Sequence, residues 1–148
     1  SLKEENLDAF TQRFLKLAAD EIIPEQMTPQ IDIDAVLDLQ DINAKFMSEL
    51  KKMNPFGPDN QKPVFCSLGV KDYGTSKLVG KDLEHIKLEL IDDKSNTPIH
   101  GIAFGMHQHN THIKNMKPFN ICYTIEENTY NGNTSIQLMI KDIKPDDI

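Results

Sequence analysis

The chain has 148 residues, of which 39% are hydrophobic and 26% charged, a composition typical of a folded globular protein rather than a disordered one. Its formal net charge of −7 argues against a strong nonspecific binder of nucleic acid, which usually carries a large basic excess. The imbalance is uneven, because residues 1–54 hold 11 acidic and 6 basic side chains whereas residues 55–148 hold 12 and 10. A local basic groove is therefore compatible with the second part.

The sequence contains no leader segment and no apolar run of membrane-spanning length, so we expect a cytoplasmic protein that is not inserted in a membrane. Because it begins at Ser1 rather than at Met, we also expect it to be a portion of a longer protein. Cys66 and Cys122 lie among apolar neighbours without CxxC spacing. This pattern predicts reduced, buried thiols rather than a metal site.

The first predicted element is an amphipathic helix over residues 3–23, ended by Pro24 and Pro29. Apolar residues spaced by three and four positions place one stripe on a helix face. The stripe consists of Leu7, Phe10, Phe14 and Leu17. Such a face is expected to pack on a neighbouring domain or, where that domain is missing, on a second copy of the chain.

A connector and a second helix follow. Residues 31–37 alternate apolar and acidic side chains at their start, which predicts a short strand. Asp41 is the predicted N-cap of a helix whose apolar residues, Ile42, Phe46 and Leu50, step by four. Residues 54–63 then contain three prolines and mark a boundary. We therefore expect one region over residues 1–57 and a separate domain over residues 58–148.

Beyond this boundary the pattern changes to strands, which are predicted over residues 64–73, 85–91, 99–105, 119–127 and 135–143, with a short helix over residues 106–116. Gly69 and Gly74 predict a sharp bend in the first strand, and Asn131 followed by Gly132 predicts a hairpin. This order is that of an OB-fold barrel. The predicted fold is mainly β with a helical arm (α+β): a five-stranded OB barrel preceded by two helices and a short connector strand.

Short segments with a familiar order occur between residues 54 and 143: Asn54–Gly57, Pro63–Phe65, Val79–Gly80, His85–Leu88, Ile102–Gly105, Asn128–Gly132, Ile136–Leu138 and Asp142–Ile143. Together they resemble the C-terminal region of RecJ-type single-stranded-DNA exonucleases. Upstream, residues 5–10 and Arg13–Phe14 resemble the end of the second domain of that family, called DHHA1.

The resemblance implies that residues 1–57 are the helical tail of the DHHA1 region with its connector, and that residues 58–148 are a nucleic-acid-binding OB domain. The family's Asp-His-His triplet does not occur in the sequence, so we expect no catalytic residue, no metal ligand and no nuclease activity in this fragment. Manganese or magnesium is implied for the full-length enzyme only. The implied partners are single-stranded DNA, the missing catalytic domains of the same chain and a single-stranded-DNA-binding protein.

OB barrels hold single strands in a groove across their second and third strands, flanked by two loops. Here those loops are residues 79–84 and 128–133. The candidates have side chains that can contact phosphates, stack on bases or form hydrogen bonds. They are Lys77, Lys81, His85 and Lys87 for phosphates, Tyr73, Phe104 and Tyr130 for stacking, and Asn128 and Asn131 for sugar or base edges.

Simpler interpretations stay open at this point. Phe104 lies in an apolar strand, where alternate side chains fill a small barrel, and the lysines are compatible with an ordinary solvated face. His107, His109 and His112 suggest zinc, but only the last two share a helix face and no further ligand lies at suitable spacing. The alternative function is a protein-interaction or scaffold domain, which the acidic balance and the apolar stripe favour. Self-association through the first helix is also expected.

Overall fold

The computed structural model describes residues 3–23, 29–95 and 97–146. Contacts between residues divide the chain into two compact units, Ser1–Ile31 and Asp32–Ile148. No helix within the described ranges is long and apolar enough to cross a membrane. The boundary between residues 57 and 58 was inferred from composition and stays a prediction.

The first unit contains helix α1, Leu7–Glu21, preceded by a 3₁₀ turn over Glu4–Asn6. Acidic residues in these first turns suit the positive end of the helix dipole. The predicted helix is confirmed, whereas its predicted end at Pro24 lies outside the described residues. The α1 stripe, defined as Leu7, Phe10, Phe14 and Leu17, is 52–58% exposed.

Helix α2, Ala44–Lys51, begins after Asn43, whose side-chain oxygen accepts hydrogen bonds from the backbone N–H groups of the second and third residues after it, at 3.0 and 3.1 Å. The predicted cap, Asp41, is wrong, because this residue lies in a separate 3₁₀ turn over Leu39–Asp41. Both residues are good caps by type, but only Asn43 has the extended backbone that an N-cap requires.

The second unit contains seven strands and a short helix between the fifth and sixth: β1 Ala35–Val36, β2 Phe65–Asp72, β3 Lys77–Val79, β4 His85–Ile91, β5 Ile99–Ala103, α3 Asn110–Lys114, β6 Phe119–Tyr130 and β7 Asn133–Pro145. Five strands pair in a ring of order β2, β6, β7, β5, β4 and back to β2. The β5–β7 pair is parallel, and the other ring pairs are antiparallel. Outside the ring, β1 pairs with β2 and β3 pairs with β4.

The five strands of the predicted OB fold are confirmed, but the sheet has seven strands and is not a clean five-stranded barrel. The connector strand was predicted and is β1. Strand β3 was not predicted, because a run of three residues is too short to show a two-residue period. The predicted bend occurs at Gly69, where φ is +65° and the β2–β6 register shifts. The Asn131–Gly132 hairpin is also confirmed, with φ of +50° and +78°.

The predicted helix over residues 106–116 is shorter than expected. It consists of a 3₁₀ turn, His107–His109, followed by the five residues of α3. Only Ile113 of α3 is buried, so this segment has one apolar anchor rather than the full stripe that a longer helix needs.

Alternation along β4 separates the core from the surface that carries the site. Ile86, Leu88 and Leu90 are fully buried inside the ring, while the intervening His85, Lys87 and Glu89 lie on its outer surface. Other buried residues of the core come from each of the remaining ring strands and include Val70, Ala103, Phe119, Ile121, Tyr123, Leu138 and Ile143. The binding candidates of β4 are therefore held on a strand whose opposite face is fixed by packing.

Candidate nucleic-acid interface

Two lysines lie side by side on the outer surface of the ring. Lys77 of β3 is directly opposite Lys87 of β4, and Lys87 is in turn opposite Ile102 of β5. Opposite residues of paired strands lie about 5 Å apart and share a face, so the two ammonium groups belong to one surface. Lys81 is exposed in the turn that joins β3 to β4. The three lysines among the four predicted phosphate contacts therefore lie on one β-hairpin, as does the fourth, His85.

Some lysines of the second unit pair with acids, whereas these three, like Lys45, Lys117, Lys141 and Lys144, pair with none in the described part of the chain. Lys51 and Lys62 pair with Glu127 and Glu126 at 2.7 and 2.5 Å, whereas Lys77, Lys81 and Lys87 form no ion pair with any acid that the structure describes. A lysine without an internal partner keeps its full charge available to an external anion. The β3–β4 hairpin thus presents three lysines without an acidic partner among the described residues, although Asp82, Glu84 and Glu89 bring its formal net charge to zero.

An aromatic side chain is exposed beside these lysines. Phe104 follows β5 and is 56% exposed, so the alternative that it fills the barrel core is wrong. The reason is that successive side chains along β5 point to opposite faces, so Ala103 lies inside the ring and Phe104 outside it. The Phe104 ring contacts His85 edge to face, with ring centroids 5.0 Å apart and planes at 79°.

His85 is held on both sides of its ring. Its Nδ1 accepts a hydrogen bond from the backbone N–H of Gly105 at 3.0 Å, and its Nε2 lies 3.3 Å from Oε1 of Glu84. An Nδ1 that accepts a hydrogen bond carries no proton, so this geometry describes the neutral tautomer with its proton on Nε2. His85 thus ties the start of β4 to the segment that carries Phe104.

The turn between β3 and β4 is folded around the carboxylate of Glu84. This group accepts a hydrogen bond from the backbone N–H of Asp82 at 2.9 Å and packs so closely on Gly80 that a Cβ there would lie 2.7 Å from Oε2. The hydrogen bond from Glu84's own backbone N–H is the largest of the causes that lower the pKa of this carboxyl. The turn that presents Lys81 is therefore built around an ionised side chain.

A buried carboxylate fixes the corner between β2 and β3. Oδ1 of Asp72 accepts hydrogen bonds from the backbone N–H and hydroxyl of Ser76 at 3.1 and 2.6 Å, and Oδ2 lies 3.5 Å from Nζ of Lys114. Burial alone would raise the pKa of Asp72, but these hydrogen bonds, one from Gly74 and the Lys114 charge together lower it. Asp72 therefore remains ionised inside the fold.

The sequence analysis did not identify Asp72 and Ser76. Their signal was a polar residue at the inward-facing end of a strand, directly before a Tyr-Gly turn. Tyr73, a predicted stacking residue, follows Asp72 immediately and is 50% exposed. Its backbone N–H donates to the carbonyl of Glu89 on β4 at 2.8 Å, which places it next to the outer surface of the hairpin.

The remaining candidates lie elsewhere. Asn128, Tyr130 and Asn131 are at the tip of the β6–β7 hairpin, where Tyr130 is 74% exposed. β5 and β7 run parallel, with His100 opposite Gln137. Phe104 lies after His100 along this direction, whereas the hairpin tip lies before Gln137, so the two are at opposite ends of the strands. At about 3.3 Å per residue the tip is on the order of 25 Å from Phe104. The two predicted flanking loops therefore border opposite ends of the outer surface.

The described residues do not form a cluster of metal ligands. Among the described residues, no three His, Cys, Asp or Glu side chains are grouped so that they could hold a metal ion. His112, one of the three clustered histidines, instead lies with Nε2 3.2 Å from the carbonyl oxygen of Pro118 and packs on Phe119. The described part of the chain thus does not fit a magnesium or manganese centre.

Comparisons with known proteins agree with this architecture. The family model of the RecJ OB domain matches residues 33–142. The single-stranded-DNA-specific exonuclease RecJ of Haemophilus influenzae is 24% identical over 147 residues, which cover 99% of this chain and 25% of that protein. The Bacillus subtilis protein of the same name is 26% identical over 143 residues, covering 96% and 18%.

Among solved structures, that of Thermus thermophilus RecJ in complex with Mn²⁺ superposes with a TM-score of 0.75 at 17% identity, covering 100% of this chain and 20% of that one. The complex of the same protein with Mg²⁺ gives a TM-score of 0.74. Because the sequence identity to these structures is only 16–17%, the structural similarity establishes the fold and nothing further. The chain spans between 18% and 25% of the length of the curated relatives that it matches. With its five ring strands and a family match over 33–142, it belongs to the RecJ OB domain family.

Proposed function

We propose that this chain is a single-stranded-DNA-binding module and that the outer surface of β3, β4 and β5 is its binding surface. One observation supports this most. Three lysines that pair with no described acid (Lys77, Lys81 and Lys87) lie on one hairpin, and an exposed phenylalanine (Phe104) follows the neighbouring strand. Lysines match a phosphate backbone and an exposed ring matches an unstacked base, so the combination suits a single strand better than a duplex.

The expected binding is moderate and depends on salt. A base stacked on an aromatic ring contributes about 1–3 kcal/mol, and each phosphate neutralised on a single strand adds about −0.7 to the slope of log K against log salt concentration. Three lysines therefore predict a slope of about −2, which is about a 20-fold loss of affinity between about 50 and 200 mM salt. A module of this kind adds affinity and orientation to a larger enzyme.

Fluorescence anisotropy of a labelled oligonucleotide tests the proposal. The variant Lys77→Ala/Lys81→Ala/Lys87→Ala should bind at least tenfold more weakly at low salt and lose most of the salt slope. A matched control is Lys45→Ala/Lys117→Ala/Lys144→Ala, since these lysines are also exposed but none lies on β3, β4 or β5, in the turn between β3 and β4, or beside Phe104. Equal losses in both variants, or no binding by the unmodified chain at micromolar concentration, would reject the proposed surface.

The relatives' name also suggests a role for the longer protein. We propose that this domain serves an exonuclease that degrades single-stranded DNA from the 5′ end, with manganese or magnesium held by domains outside this chain. The chain itself is then a binding module without nuclease activity. Incubating purified chain and oligonucleotide with manganese should leave the oligonucleotide intact, and digestion that a chelator stops and that copurifies with the chain through further purification would contradict this role.

A second candidate function rests on the α1 stripe. Four apolar side chains of one helix face, each more than half exposed, suit a protein surface that excludes water. The partner we propose is the catalytic part of the same longer protein, with a single-stranded-DNA-binding protein as the other candidate. In the isolated chain, the same stripe is expected to drive self-association.

A further inference from the structure

Leu83 has a backbone conformation that is unfavourable for its residue type. Among the described residues, three that are not glycine have positive φ: Leu83, Met116 and Asn131. Asn131 precedes a glycine in a hairpin turn, where asparagine tolerates this conformation. Met116 follows the end of α3, where left-handed residues commonly terminate helices. Leu83, with φ of +55°, is in the β3–β4 turn, where glycine or asparagine would be less strained.

Hydrogen bonds within the turn hold the chain on both sides of Leu83. Gly80, with φ of +97°, begins it, and its carbonyl oxygen accepts a hydrogen bond from the N–H of Leu83 at 3.3 Å. The Glu84 carboxylate fills the turn from inside, hydrogen-bonded to Asp82 N–H and 3.3 Å from His85 Nε2. The strain at Leu83 is therefore maintained by its surroundings, as is typical of residues at functional sites.

Packing does not offset this strain. The Leu83 side chain is 55% exposed and is absent from the hydrophobic core, so it gains little from burial within the described fold. Its position is two residues after Lys81 and two before His85, whose ring contacts Phe104. A residue with a strained backbone and an exposed apolar side chain thus lies at the edge of the β3–β4 hairpin.

We propose that Leu83 is a nucleic-acid contact residue that packs against the apolar face of a base in a bound single strand. The proposal rests on the proposed function and extends it by one residue. A single strand is favoured over a protein partner because the hairpin carries three lysines that pair with no described acid, whereas two of its three acids, Glu84 and Glu89, already accept hydrogen bonds from the Asp82 N–H and the Thr75 hydroxyl. Duplex DNA is disfavoured, since its base faces are stacked and unavailable to a leucine.

Two measurements distinguish a DNA-contact role of Leu83 from a structural role. A contact role predicts weaker binding without loss of thermal stability, whereas a structural role predicts a lower melting temperature. Leu83→Gly and Leu83→Asn relieve the backbone strain, so each should have a melting temperature equal to that of the unmodified chain or up to about 4 °C higher. Both should nevertheless raise the Kd for a labelled oligonucleotide about five- to tenfold, the size expected when about half of a leucine side chain is no longer removed from water. Leu83→Met, which keeps the apolar volume, should retain affinity.

Met116→Gly is the matched control, because Met116 is the other bulky residue of positive φ in the described ranges and is 49% exposed. It should raise or preserve the melting temperature and leave the Kd unchanged. If the unmodified chain binds and the triple lysine variant does not, but Leu83→Gly binds normally, the inference about Leu83 is overturned while the proposed function stands. If the unmodified chain does not bind, the proposed function itself fails. A lower melting temperature for Leu83→Gly and Leu83→Asn would show that the side chain is structural and would also overturn the inference.

Discussion

His85 supports Phe104 through two contacts at once: the rings meet edge to face with centroids 5.0 Å apart, and the Gly105 N–H, next along the chain from Phe104, donates to Nδ1 of His85. A ring that is more than half exposed would otherwise be free to change rotamer. Fixing it before binding lowers the entropy lost when a base stacks on it. This relationship gives His85 a positioning role in the proposed surface.

Phe104→Ala should weaken oligonucleotide binding about 5- to 150-fold, because one stacked base contributes about 1–3 kcal/mol. Phe104→Trp should retain binding, since it keeps a flat ring. The measurement is anisotropy at fixed salt. Leu68→Ala is the control for loss of an exposed apolar side chain, as Leu68 is 59% exposed but lies on β2; equal effects of the two alanine variants would contradict a specific stacking role.

His85→Ala should weaken binding less than Phe104→Ala and should add little in the double variant. The reason is that residues in contact are coupled, so their effects are not additive. His85→Asn, whose carbonyl oxygen can accept from the Gly105 N–H, should recover part of the loss. Full additivity in a double-mutant cycle would show that His85 contacts the DNA independently of Phe104.

The sequence allowed the ring of five strands to be predicted because each strand is long enough to show alternation and each turn has its own signal, such as Asn131–Gly132. It also allowed the β3–β4 lysines to be named. The contacts that position them could not be predicted, because the hydrogen bond from Gly105 to His85 spans 20 residues and depends on tertiary packing. The strain at Leu83 is equally invisible, since leucine is an unremarkable residue in a loop until its φ is known.

Asp72→Asn should destabilise the chain by about 1–3 kcal/mol near neutral pH, because it removes a buried, hydrogen-bonded charge next to Lys114. The pKa of Asp72 is lowered in the folded state, so its contribution is present above the unfolded pKa of about 3.9 and is lost as the pH falls through the folded value. The difference between variant and unmodified chain should therefore shrink as the pH falls below the unfolded pKa of about 3.9. Urea unfolding at several pH values measures it.

Asp93→Asn is the control for this comparison, because Asp93 also pairs with a lysine, Lys71, but its side chain is 86% exposed. Its effect should stay below about 0.5 kcal/mol, as is usual for exposed ion pairs. A pH-independent effect of Asp72→Asn would mean that folding does not shift the pKa of this carboxyl, which would contradict the lowered pKa.

Stability should also fall in alkaline solution. Burial is the main cause that raises the pKa of Cys122 to about 11, and burial likewise raises the pKa of Tyr123. The folded state holds these protons while the unfolded thiol ionises near pH 8.5, so the stabilisation is intact below about pH 8.5 and is lost as the pH rises through the folded value. Cys122→Ala should flatten the decline of unfolding free energy between about pH 8.5 and 10. If the unfolding free energy of Cys122→Ala declines as steeply as that of the unmodified chain, groups other than Cys122 cause the decline.

The α1 stripe predicts a concentration-dependent increase in mass in light scattering. Phe10 and Phe14 stack with centroids 6.0 Å apart, and Phe10→Glu/Phe14→Glu should abolish the increase because charges oppose burial of this face. Lys16→Glu, a substitution on α1 outside the stripe, should leave it intact. A monomer at all concentrations for the unmodified chain would reject self-association.

The most direct test of the binding surface is NMR chemical-shift mapping of isotope-labelled chain titrated with an unlabelled single-stranded oligonucleotide. We predict that the largest amide shifts occur in β3, in the turn from Gly80 to Glu84, on β4 near Lys87 and at Phe104 and Gly105, and that they diminish as salt increases. Shifts confined to α1 or to the β6–β7 hairpin tip, or no shifts at saturating oligonucleotide, would contradict the account.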